Sequence, residues 1–121
     1  MTTTNERHAA LFTAFVSAFR NKDVAQVAQC LAPHFEWRLP SGETYTGKEN
    51  ALAFMAKRFA DPNGPEFSDS SFAFHGDTVI QTYRVKAMGA NGKRQSLAGL
   101  DVYTIEEGLI VSKDAYWKQL T

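Results

Sequence analysis

The chain has 121 residues, 13 acidic and 13 basic side chains, a formal net charge of zero and a single cysteine. That length suits one domain, residues 1–121, with a core that needs no cross-link, and one cysteine excludes an internal disulfide and points to a reducing, cytoplasmic home. The balanced charge, without a basic run or a glycine-rich phosphate loop, gives no reason to expect a nucleic acid or an anionic membrane as partner, and the polar first residues lack the apolar core of a secretory signal.

Residues 5–20 are predicted as a helix, because Leu11, Phe12, Phe15, Val16 and Phe19 recur at helical spacing and make one apolar stripe. The apolar run 11–19 is too short to cross a bilayer. Asn21-Lys22-Asp23 breaks the helix, and Asp23 is expected to cap a second, shorter one. That helix would bury Val24, Val27, Ala28 and Leu31, with Cys30 packed beside them as a small apolar residue and Pro33 as the stop. From His34 to Leu39 the pattern alternates, with Phe35, Trp37 and Leu39 on one side and Glu36 and Arg38 on the other, as in a half-buried strand. A turn at Pro40-Ser41-Gly42 and a short extended piece around Thr44 and Tyr45 follow. Thr46-Gly47-Lys48-Glu49 has the form of a capping box, opening a helix with Leu52, Met55, Ala56 and Phe59 on one face. Asp61-Pro62-Asn63-Gly64-Pro65 ends it.

Beyond residue 66 the period changes from helical to alternating. Strands are predicted at 67–75, 78–88, 94–105 and 109–119, divided by His75-Gly76-Asp77, Gly89-Ala90-Asn91-Gly92 and Glu106-Glu107-Gly108, all of them hairpin chemistry. Helix, helix, strand, helix and meander make an α+β domain with helices on one face of a sheet. Asp101 stands inside an otherwise apolar strand, where a carboxylate is costly unless it has a partner, a raised pKa or a job. If the last hairpin closes with Ile105 opposite Leu109, then Tyr103 faces Val111 and Asp101 faces Lys113, on one face with Gly99, Ala115 and Trp117. Closing the hairpin before it at Gly89 to Gly92 sets Arg84 opposite Leu97 and Thr82 opposite Gly99. A slip of one residue in either hairpin reverses the faces, and Gly99 and Gly108 make room for a bulge. His8, His34 and His75 lack metal-ligand spacing, so no metal and no cofactor are expected.

This order of elements resembles the nuclear transport factor 2-like superfamily, and within it the SnoaL-like polyketide cyclase and ketosteroid isomerase groups. Three segments carry the resemblance: residues 15–31 with the Asn-Lys-Asp break; Trp37-Arg38-Leu39-Pro40-Ser41-Gly42 followed by Tyr45-Thr46-Gly47; and Gly99-Leu100-Asp101 through Ala115-Tyr116-Trp117. It spans nearly the whole chain. The resemblance implies a cone-shaped domain, three N-terminal helices packed on a curved mixed, largely antiparallel sheet around an internal pocket. It also implies a homodimer paired through the outer sheet face, where Val102, Ile110, Asp114, Tyr116 and Lys118 would lie. Ketosteroid isomerases surround their substrate with a carboxylate base, a tyrosine and a protonated aspartic acid. Only the last falls on a matching residue here, Asp101; the tyrosine position falls on Phe15 and the base on Arg38 or Leu39, so steroid isomerisation is expected to be absent. The Asp-Arg-Asp set of limonene epoxide hydrolases falls on Lys86, Arg84 and about Ala115, and the paired histidines of scytalone dehydratase find no placement.

The expectation is therefore a pocket for a small apolar molecule bearing a carbonyl, in a homodimer, with no nucleic acid, membrane or cofactor. Phe15, Phe19, Trp37, Tyr103 and Trp117 would form its apolar walls, and Asp101, Lys113, Thr82 and Arg84 its polar groups. Unpaired in a dry cavity, Asp101 would serve as an acid; paired with Lys113, it would be a fixed polar anchor. A neutral Lys113 would attack carbonyls, and Arg84 would clamp a ligand carboxylate or enolate. Two functions follow: a cofactor-independent cyclase or isomerase using Asp101 and Lys113, or a non-catalytic binding or dimerisation module of the same fold.

Overall fold

The computed structural model describes residues 3–120. Helix α1 (Thr4–Arg20) is capped by Thr3, whose hydroxyl accepts from the Glu6 amide at 3.1 Å, and buries His8, Phe12, Phe15 and Ala18. Helix α2 (Val24–Cys30) is capped by Asp23 as its sequence implies, through the Gln26 amide at 3.2 Å. Strand β1 (Leu31–Arg38) follows at once, so Leu31 belongs to it and Pro33 lies within it rather than ending the helix. The residue before a proline is driven to extended backbone, which stops α2 earlier than expected. Pro33 also has no amide to donate, and the pairing of β1 is irregular between Leu31 and Glu36.

Strand β2 (Thr44–Thr46) runs antiparallel to β1 and leads to helix α3 (Lys48–Ala60). The capping box does not form: Thr46 is held in β2 opposite Glu36, and Gly47, at φ +90°, takes the cap position without a side-chain bond. Glycine tolerates that turn where a threonine would not. Helix α3 buries Ala51 and Met55 and half-buries Leu52 and Phe59, while Ala56 faces solvent, one position off the expected stripe.

Strands β3 (Glu66–His75), β4 (Thr78–Met88), β5 (Arg94–Glu106) and β6 (Leu109–Gln119) lie within one residue of the predicted bounds. Among the described residues one unclosed sheet holds six strands in the order β2-β1-β6-β5-β4-β3, and only β1 and β6 pair in parallel. Strand β3 is an edge, with its register broken between Ser68 and Ser71 and Asp69 at φ +56°. The core joins Phe12, Phe35, Trp37, Met55, Val79, Tyr103, Ile105 and Ile110. No helix among the described residues is long and apolar enough to span a membrane.

Both hairpin registers differ from the expected ones. The β4–β5 loop runs over residues 89–93, closed by Met88 opposite Arg94 and by the Gly89 amide donating to the Lys93 carbonyl at 2.8 Å. One more loop residue moves the register by one, so Tyr83 faces Gly99 and Gln81 faces Asp101. Thr82 and Arg84, expected inside, are exposed on the outer face, opposite Leu100 and Ala98. In the last hairpin the register shifts between Thr104 and Ile105, leaving Val111 as the extra residue on β6. Asp101 consequently opposes Ala115, and Lys113 opposes Tyr103. The offset from expectation is two residues, so Asp101, Tyr103 and Lys113 keep one face. Val111 no longer opposes Tyr103, and Ile110, expected on the outer surface, is fully buried opposite Ile105.

Candidate functional site

Asp101 lies in the middle of β5 and is 1% exposed. Inward positions on the neighbouring strands bring donors to both of its oxygens. Tyr83 of β4 donates to Oδ1 at 2.6 Å, and Lys113 of β6 donates to Oδ2. The Tyr103 hydroxyl lies 3.3 Å from Oδ2 and 2.7 Å from Gln81 Oε1. A phenol carries one proton, so the shorter contact to Gln81 has the better claim on it. Gln81 in turn donates through Nε2 to the Ser70 hydroxyl at 3.1 Å. Behind Tyr83, the Trp117 indole donates to its oxygen at 2.8 Å, fixing the phenol so that its own proton points to Asp101. Gly99 makes this possible: a Cβ there would run into the Tyr83 ring, so the strand gives up a side chain where the ring must lie.

Burial, then the charge of Asp101, holds both Tyr83 and Tyr103 well above the ordinary phenol value, so the site keeps them protonated. The Lys113 ammonium sits among rings, 5.3 Å from the centre of Tyr103, 5.6 Å from Trp37 and 5.9 Å from Phe19. Such rings favour a cation without using its N–H groups as hydrogen bonds would. One N–H of Lys113 goes to Asp101, and the ammonium makes no further hydrogen bond among the described residues.

These groups share a cavity of about 600 Å³, walled by Phe15, Phe19, Phe59 and Tyr103, with Asp101, Lys113, Tyr83, Gln81 and Arg58 as its inner polar lining. The α3–β3 connection contributes Asp61, Pro62, Gly64 and Pro65. Of the residues expected in the site, Phe15, Phe19, Tyr103, Asp101 and Lys113 line this space. Trp37 and Trp117 do not: Trp37 is buried in the core behind Lys113, with its indole N–H unpartnered, and Trp117 stands behind Tyr83. Thr82 and Arg84 are on the opposite face of the sheet. Tyr83, Gln81 and Arg58 escaped the sequence reading. The first two are the odd-numbered positions of β4 that the one-residue slip turns inward. Arg58 had a signal of its own, since it falls seven residues after Ala51 and three after Met55, on the buried stripe of α3.

No group of three or more histidine, cysteine or acidic residues is placed to hold a metal among the described residues. The histidines are separate: His8 lies 3.6 Å from Asp77 and His34 lies 3.5 Å from Glu106.

The chain is similar to known proteins in both sequence and shape. The profile of the SnoaL-like domain matches residues 12–113. No curated protein matches the chain. A polyketide cyclase candidate from Xanthomonas campestris pv. campestris superposes with a TM-score of 0.80 at 21% identity, over 96% of this chain and 93% of that one. A ketosteroid isomerase candidate from Kribbella flavida gives 0.77 at 18% identity, over 96% and 81%. An epoxide hydrolase of the LEH-like kind from M. tuberculosis gives 0.73 at 16% identity, over 90% and 80%. At these identities the likeness is one of fold.

Proposed function

The chain belongs to the SnoaL-like domain family, within the nuclear transport factor 2-like superfamily, and from that premise we propose a cofactor-independent isomerase or cyclase whose cavity takes a small apolar molecule bearing a carbonyl. One observation carries this reading: a buried carboxylate, an ammonium and two phenols converge on a cavity with aromatic walls. Tyr83 and Lys113 both donate to Asp101, which suits an ionised carboxylate that only accepts, and in that state it acts as a base rather than as the acid or the fixed anchor expected of it. The unused N–H groups of Lys113 are then the donors for a carbonyl oxygen, and they stabilise negative charge as it develops there. Asp101 takes a proton from the carbon beside the carbonyl and, now an acid, returns it at another atom. Lys113 holds the enolate oxygen meanwhile.

Deuterium uptake beside the carbonyl of β-tetralone, followed by NMR, tests this. Uptake should be catalysed by the native chain and fall about 100-fold or more in Asp101→Asn. Lys113→Met should also lose most of it, with circular dichroism confirming that each variant is folded. Uptake at the native rate in a folded Asp101→Asn would remove Asp101 from the chemistry.

A second reading is a non-catalytic binding module of the same fold. It is favoured by Phe15 and by Arg38 and Leu39, which stand where the resemblance to ketosteroid isomerases calls for a tyrosine and a carboxylate base. Binding of β-tetralone without uptake would decide for it. Under either reading we place the chain in a homodimer joined through the outer sheet face, which exposes Leu100 and Tyr116. A cytoplasmic setting is consistent with Cys30, a buried free thiol pushed up in pKa by burial and so unreactive.

A further inference from the structure

Arg58 reaches the cavity from helix α3 and is half-buried there. Its guanidinium carbon lies 5.6 Å from the centre of the Trp37 ring, 5.7 Å from Trp117 and 6.0 Å from Phe54. No carboxylate among the described residues forms an ion pair with it. Asp101, the acid in the same cavity, is already matched by Lys113. Ionised Asp101, Lys113 and Arg58 therefore leave one positive charge over. The outer rim does not cancel it: Arg20 and Lys22 are equalled by Asp61 and Asp69, and Glu66 is taken by Arg94 at 3.2 Å.

Removing a guanidinium from water without a counter-ion is costly, and burial presses Arg58 below its ordinary pKa, with Tyr83 and Asp101 opposing that shift. Ring contacts of this kind use no N–H as a hydrogen bond would, so they leave the guanidinium fork for a planar acceptor with two oxygens. The clamp that the sequence suggested for Arg84 thus has a better-placed candidate.

We propose that the ligand carries a carboxylate as well as a carbonyl, with the carboxylate seated edge-on against Arg58 and the apolar body along Phe15, Phe19 and Phe59. The substrate class is an apolar oxo acid rather than a neutral ketone. This rests on the reading of the cavity as a carbonyl site.

Calorimetric titration with β-benzoylpropionate and with its uncharged methyl ester tests the proposal on the native chain, Arg58→Gln and Arg58→Lys. The native chain should bind the acid about 10-fold or more tighter than the ester. In Arg58→Gln the acid should fall to the affinity of the ester, and the ester should keep its own. Arg58→Lys keeps the charge without the fork and should retain part of the preference, which covers the case of a poorly folded glutamine variant. Equal binding of acid and ester by the native chain would overturn the carboxylate seat while leaving the carbonyl pocket standing. A preference that persists in Arg58→Gln would overturn it by assigning the anion to another group. Binding of neither probe would remove the carbonyl reading and this inference with it.

Discussion

At the scale of the residue, Asp101 makes one arrangement out of groups that would be unfavourable alone. Lys113 is 8% exposed and Asp101 1%, and each would be a poorly solvated charge without the other. The phenols complete the set, and they make the fold sensitive to alkali in a definite direction. Tyr83 and Tyr103 are held above the usual phenol pKa by burial and by the Asp101 charge. An unfolded chain releases those protons near pH ~10, while the folded chain keeps them. The unfolded state then binds fewer protons, so stability is complete below that pH and falls as pH rises beyond it. Of the four tyrosines, Tyr45 and Tyr116 are also raised in pKa, the first by desolvation and then Glu43, the second by its bond to Asp114, but their hydroxyls lie at the surface. Near-ultraviolet phenolate absorbance should rise in two stages. Those two ionise first, with circular dichroism unchanged; Tyr83 and Tyr103 ionise only as the fold is lost. Four phenols titrating together in a chain that stays folded would contradict the burial described for the inner pair.

At the scale of the element, the point of closest fit is where β5 passes under Tyr83. Gly99 has no side chain at that point, and Gly99→Ala would push the ring off Asp101. The expected cost is about 1–3 kcal/mol, the range for overfilling a packed site, read as a lower denaturant midpoint with an unchanged slope. An alanine variant as stable as the native chain would mean that the ring has another place to go. Strands and helices of this chain were legible because glycine, proline and asparagine punctuate them and because alternation starts at residue 66. The faces were less legible, since they depend on whether a loop holds an even or an odd number of residues. The residues around Gly89 to Lys93 allow either. Asp101 and Lys113 kept their common face because the error in their hairpin was two residues, whereas Thr82 and Arg84 lost theirs to an error of one. The capping box failed for a related reason: a ladder partner for Thr46 comes from β1, ten residues earlier in the chain. Local spacing does not report such a contact.

At the scale of the whole molecule, the sheet has one face turned to the helices and another bearing Thr82, Arg84, Leu100 and Tyr116. Leu100 is 37% exposed and Tyr116 56%, a modest apolar surface in the middle of the sheet. Sedimentation should find a dimer for the native chain, and Leu100→Asp should shift it toward monomer without loss of circular dichroism. A native chain that remains monomeric at high concentration would end the proposal of face-to-face pairing. The manner in which β3 is built bears on what else such an assembly does. Halfway along this outermost strand the backbone turns at Asp69 and the ladder breaks. A strand of another copy laid beside it would meet a kink rather than a straight row of amides and carbonyls. Association by that route has no natural end and grows into filaments, whereas two faces that cover each other are closed after one event. A single bent aspartate thus helps to keep the assembly finite.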